Sequence, residues 1–169
     1  GNQTIASANP NATLNFNNLS TGNLFTITFA GDGIVAVNGV LSGTGGLIKA
    51  GSGTLILAGN NTYEGTTIIN QGVVEIRHSN ALGADTAHTQ IANAGAALHI
   101  NGTLGDVHVG QEALQIIGRG EDGLAEHYGS TGALRSMGGN NSWAGMVALA
   151  GNSSISVDAG SLNLSGAIS

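Results

Sequence analysis

Short runs of apolar residues alternate with polar ones along nearly the whole chain, and each breaks off at Gly, Asn, Ser or Asp. They include 24–30 (LFTITFA), 33–37 (GIVAV), 53–58 (GTLILA), 66–70 (TTIIN) and 72–77 (GVVEIR). Further on come 97–100 (ALHI), 106–109 (DVHV), 113–117 (ALQII), 154–157 (SISV) and 162–164 (LNL). Runs this short, rich in β-branched residues and bounded by turn formers, predict strands. No window carries an i, i+3, i+4, i+7 apolar stripe long enough for a helix. The most helix-tolerant stretch, 120–129 (GEDGLAEHYG), is limited by its glycines to about one turn. The pattern therefore predicts an all-β chain.

A strand about every ten residues fits a sandwich, a barrel or a solenoid. An internal repeat separates them. Gly59-Asn60-Asn61-Thr62-Tyr63-Glu64-Gly65 returns as Gly139-Asn140-Asn141-Ser142-Trp143-Ala144-Gly145, and each copy runs into an apolar strand. A weaker echo links VNGVLSG, from Val37, to LNLSGAIS at the end of the chain. Self-similarity of this kind marks stacked units that cannot bury an apolar face alone. Asn suits corners through its tolerance of left-handed turns and its bonds to nearby backbone. Tyr63 and Trp143 are expected to cover apolar surface while their polar atoms reach water or backbone. Gly65 and Gly145 are expected to permit a reversal before the next strand.

Composition supports this reading. Glycine is abundant, at 29 residues against one proline, which matches many tight turns and strands that each need their N–H for the ladder. Hydrophobic residues make up 41% of the chain and charged residues only 8%, so disorder is excluded. The glycines keep no three-residue register, which excludes collagen.

At the level of motif, residues 43–83 resemble the passenger-associated transport repeat of bacterial autotransporters. The family pattern is matched by Gly46, Leu47, Lys49, Gly51, Gly53, Thr54, Leu55, Leu57, Gly59, Asn61, Thr62, Tyr63, Gly65, Thr67, Ile69 and Gly72, followed by Asn80-Ala81-Leu82-Gly83. Residues 132–168 look like a degenerate second unit, and 84–131 read as inter-repeat coils with a loop, all within one segment, 1–169, of a longer protein. The resemblance implies a right-handed parallel β-helix of about three short strands per coil. It further implies export and display at the bacterial surface, with an outer-membrane anchor outside this segment. Six to eight coils would make a rod of about 30–40 Å. Its interior is expected to hold Leu55, Leu57, Ile68, Val74, Ile76, Leu98, Ile100, Val107, Val109, Leu149, Ile155, Val157, Leu162 and Leu164.

Candidate chemistry is sparse. A net charge of −6 with four dispersed cations cannot build a phosphate-tracking surface, so nucleic acid is excluded as a partner. No run of about 20 apolar residues exists to insert this segment into a bilayer. With no cysteine there is neither a disulfide framework nor a thiolate metal site. His99 and His108 flank Asp106, but lone His residues on strands read as solvated faces, and no metal or other cofactor is expected. Glu64, Glu75, Asp85 and Asp106 lie in separate elements, so paired-carboxylate catalysis is not expected. Asn-x-Ser/Thr triplets such as 60–62 and 140–142 read as corner chemistry.

The densest charged spot holds Arg119, Glu121, Asp122, Glu126, His127 and Tyr128, a candidate binding loop on a rigid rod. The expected function is a non-catalytic, adhesive spacer whose partner is a receptor or glycan on a host or neighbouring cell. The rivals are a β-helical enzyme acting on polysaccharide and an extracellular filament subunit. For the filament, open strand edges, including the terminal LSGAIS, would support end-to-end or lateral self-association.

Overall fold

In the computed structural model, strand after strand places every second side chain inward, and each strand pairs in parallel with the equivalent strand one coil away. The structure describes residues 1–20, 25–120 and 131–169. One face carries seven strands, from Gln3–Ala6 through Ile27–Ala30, Leu47–Lys49, Thr67–Ile69, His88–Ile91 and Ala113–Gly118 to Val147–Ser153. The second face also carries seven: Thr13–Phe16, Ile34–Val37, Thr54–Leu57, Gly72–Ile76, Ala96–Asn101, Leu134–Gly138 and Ile155–Val157. The third is shorter, with Leu19–Ser20 beneath Leu41–Ser42, and His108–Val109, Asn140–Trp143 and Ser161–Leu164 stacked farther along.

The chain is a parallel β-solenoid of about seven turns with three faces. At about 4.8 Å per coil, the first and last strands of a face lie about 30 Å apart. All named pairings are parallel, which removes the sandwich and the antiparallel barrel. The coil is 20 residues from Ile27 to Leu47 and again from Leu47 to Thr67. It lengthens to 33 residues between Leu114 and Val147, the coil that includes 121–130.

The core runs along the axis as columns of stacked apolar side chains. On the second face Val35, Leu55, Val74, Leu98 and Leu134 stack in register, and Val37, Leu57, Ile76 and Ile100 form the neighbouring column; all are buried. The outward-facing Val73, Ala97, Glu75 and His99 are buried too.

Of the expected interior residues, Leu55, Leu57, Val74, Ile76, Leu98, Ile100, Val107 and Val109 are buried. Ile68 is a correction: it faces outward, half-exposed, while Thr67 and Ile69 point in. A strand that shifts by one residue exchanges its faces. Here Thr67 takes the inner place because its hydroxyl meets the Tyr63 hydroxyl at 2.5 Å. Leu149, Ile155 and Val157 are 43%, 38% and 46% exposed, although each stacks on an inward position of the preceding coil. Ile155 and Val157 lie on the end strand of their sheet, with no strand beyond it among the described residues, and Leu149 has only the short 167–169 segment bonded beyond its strand. Leu162 and Leu164 are half-buried for the same reason.

Candidate functional site

The two copies of the repeat phrase lead into the third face at the same corner. Asn61 and Asn141 both turn inward there and are buried. The Asn61 amide ties three coils together: the backbone N–H of Leu41 donates to its Oδ1 at 2.7 Å, and its Nδ2 donates to the Ala81 carbonyl at 2.6 Å. Asn141 accepts from the Val107 N–H at 2.9 Å and donates within its own coil to Gly138 O and Ser136 Oγ. These amides do not stack coil upon coil. They satisfy backbone groups that the corner leaves outside the ladder.

Tyr63 and Trp143 are fully buried. The Trp143 indole N–H donates to the Glu112 carbonyl at 2.8 Å, whereas Tyr63 meets Thr67, and burial pushes its phenol upward from the ordinary range. Gly65 and Gly145 have no left-handed backbone angle, so the expected reversal is not their reason for being glycine. The reason is proximity: a Cβ on Gly145 would lie 1.8 Å from Glu112 O, and one on Gly65 would lie 2.4 Å from Gly46 N.

Lys49 points inward, in register with Phe29 and Ile69, and is buried. Its Nζ donates to the carbonyls of Ala50, Gly51 and Gln71 at 3.0, 2.7 and 3.2 Å, which holds a corner of two successive coils. That arrangement requires the left-handed turn at Gly51, φ 78°. The lysine is thus a structural cation rather than a ligand-facing one.

Glu112 is buried and escaped the sequence reading. It lies in phase with the inward residues Leu114 and Ile116, the signal that could have found it. Its carboxyl accepts from Thr89 Oγ1 at 2.9 Å. Burial raises it to about 7, against a smaller opposing pull from the Thr89 bond and with a push from Asp85. Thr89 stacks on Thr67, so hydroxyls and a carboxyl line one strip of the interior.

The outer surface gathers charge on the second face. Arg77 Nε donates to Glu75 Oε1 at 2.6 Å, Asn101 Nδ2 donates to the same oxygen at 2.8 Å, and Arg135 pairs with Asp158 at 2.7 Å. His99 stands between Glu75 and Arg135 in the ladder, and its Nε2 has no hydrogen-bond partner among the described residues. Burial lowers His99 to about 4, and Arg135 adds to the effect.

The other acids are spread out. Asp106 Oδ1 accepts from the Asn140 N–H at 2.8 Å, and His108 Nδ1 lies 2.9 Å from Ser142 Oγ on the third face, away from His99. Glu64 and Asp85 do share a shallow corner groove of about 330 Å³, with Asn60, Thr62 and Asn80, but no lysine or arginine among the described residues lines it. In the proposed loop, Arg119 is exposed, and its carbonyl accepts from the Gly132 N–H at 3.0 Å. Glu121, Asp122, Glu126, His127 and Tyr128 lie outside the described residues.

Comparison with known proteins agrees with this architecture. The Passenger-associated-transport-repeat family matches residues 47–76, from the strand bearing Lys49 to the end of the strand 72–76. "Adhesin BmaC autotransporter" of Brucella suis biovar 1 (strain 1330) is 36% identical over 126 residues, covering 72% of this chain and 4% of the adhesin. "Extracellular serine protease" of Serratia marcescens is 46% identical over 65 residues, covering 38% of this chain and 6% of the protease. The chain thus spans only a small fraction of the relatives it matches. No solved structure is a significant match. Stacked parallel coils and the repeat across 47–76 together identify the chain as a segment of an autotransporter passenger.

Proposed function

We propose that this segment is a non-catalytic, adhesive stretch of an extracellular passenger: a stiff rod that carries contact surface away from the cell. The observation that supports it most is how the polar side chains are used. Asn61, Asn141, Lys49 and Glu112 all face inward and serve the stack, while Glu75, Arg135 and Asp106 are tied to neighbours on the outside. Hydrolysis or elimination on a polysaccharide needs two acids, or an acid and a base, converging on a groove. Glu64 and Asp85 share a groove with no lysine or arginine among its described lining residues, and Glu112, the acid with the raised pKa, is buried in the interior. An adhesin relative aligned over 72% of the chain favours the same reading.

The partner in this proposal is a receptor or glycan on a host or neighbouring cell, and an outer-membrane anchor elsewhere in the longer protein holds the rod at the surface. The test is a bead assay. Beads coated with the segment should bind epithelial cells or matrix proteins above albumin-coated controls. Background binding, or release of reducing sugar from a polysaccharide panel, would contradict the proposal.

A further inference from the structure

Most asparagines whose side chains bond to another coil fall into two kinds. Asn101 is the exception, because it leads an Asn-x-Ser/Thr triplet yet donates Nδ2 to Glu75. Eighteen Asn and 28 Ser or Thr in 169 residues would place about three Asn-x-Ser/Thr triplets at random, and the chain has eight. Seven of the eight leading asparagines are exposed. The side chains of Asn2, Asn18, Asn60 and Asn140, all leading such triplets, meet neighbouring coils in one way only, through Oδ1. That oxygen accepts from Thr26 N, Val40 N, Asn80 Nδ2 and Ser161 Oγ, at 3.3, 2.8, 2.9 and 3.3 Å respectively. Their Nδ2 atoms make no hydrogen bond among the described residues. Asn61, Asn80, Asn93 and Asn141 lead no triplet, and all four spend Nδ2 on a hydrogen bond, to a neighbouring coil in the first three and within its own coil at Asn141.

Nδ2 is the atom that receives sugar in an Asn-x-Ser/Thr triplet. A sugar placed there leaves Oδ1 free, so every coil contact named for the first group survives modification. In the second group the same modification would break a contact, and at Asn61 and Asn141 it would have to enter the interior.

We propose that Asn18, Asn60 and Asn140 accept N-linked sugar, so that one corner of the rod carries glycan along its length. All three stand where the chain enters the third face, Asn60 and Asn140 at matching places in the two repeats. Two coils separate Asn18 from Asn60 and three separate Asn60 from Asn140, about 10 and 14 Å. The co-reactant is a sugar activated at its anomeric carbon as a phosphate ester, supplied by a separate transferase. Nδ2 forms a bond to the anomeric carbon, and the carbon–oxygen bond to phosphate breaks. The phosphate leaves with that electron pair, and a base of the transferase takes the amide proton.

The test is peptide mass spectrometry on the passenger isolated from the bacterium that makes it. Peptides containing Asn18, Asn60 and Asn140 should gain the mass of at least one sugar residue, while Asn61, Asn80, Asn93 and Asn141 stay bare. Thr62→Ala should remove the sugar from Asn60 and leave Asn140 modified, and Thr62→Ser should retain both. Thr62 is exposed, so these variants do not disturb the core. Unmodified Asn60 and Asn140 peptides, sugar on Ser or Thr instead, or modification of Asn60 that persists in Thr62→Ala would overturn the proposal.

Discussion

Among single residues, the polar groups turned inward set the stability of this rod. Asn61 satisfies one N–H and one carbonyl on different neighbouring coils, and truncation leaves both buried and unpaired. Asn61→Ala should lower stability by about 3 kcal/mol, while the adjacent exposed Asn60→Ala should stay within about 0.5 kcal/mol. Urea unfolding of the two variants checks the contrast. Two buried titrating groups give opposite pH slopes. Glu112 holds its proton up to about 7 when folded, against an ordinary value of 4.5, so the folded state binds more protons in that window and stability falls as pH rises. His99 stays neutral down to about 4 against an ordinary 6.5, so the unfolded state binds more protons and stability rises with pH. Between pH 4.5 and 6.5 the two offset each other. Melting temperature against pH should therefore be nearly flat there in the parent, rise with pH in Glu112→Gln, and fall with pH in His99→Gln. Parallel profiles in all three proteins would refute both assignments.

For the strands and corners, close approach of successive coils is the controlling constraint. The Gly145 Cα packs against the Glu112 carbonyl so tightly that Gly145→Ala must push two coils apart, costing about 2–4 kcal/mol. Gly95 has open space around its Cα and no left-handed angle, so Gly95→Ala is the matched control and should be neutral or slightly stabilising. Thermal melts of the pair test this. At this scale most of the architecture was legible in the sequence. The ten period-two runs each overlap one of the nineteen described strands, and the duplicated phrase pointed to stacking. Thr13–Phe16, Leu47–Lys49, His88–Ile91 and Leu134–Gly138 were not among those runs. What escaped was phase and context. Ile68 looks more at home inside than Thr67, but the observed phase turns Ile69 inward and lets the Thr67 hydroxyl meet that of Tyr63. Leu149, Ile155 and Val157 have interior patterns, yet their burial depends on what stacks above them, which local pattern does not encode. Of the six candidate residues in the proposed loop, Arg119 alone lies among the described residues.

In the whole molecule, each coil touches mainly the coil before and the coil after, so stability is close to a nearest-neighbour sum. Amide exchange should be slowest in the central strands Thr54–Leu57, Gly72–Ile76 and Ala96–Asn101, and faster by at least tenfold in Ile155–Val157 and Ser161–Leu164. The role as spacer and contact surface rests on the coils advancing along one axis, and the absence of cysteine makes that directly measurable with paired spin labels. Thr4, Thr28, Ile48, Ile68, Gln90, Gln115 and Ala148 form one outward column on the first face, each in register with the next. Electron paramagnetic resonance distances from a label at Thr4→Cys to one at Gln90→Cys, Gln115→Cys or Ala148→Cys should lengthen in even steps, to about 19, 24 and 29 Å. A Thr4–Ala148 distance no longer than the Thr4–Gln90 distance would contradict a solenoid.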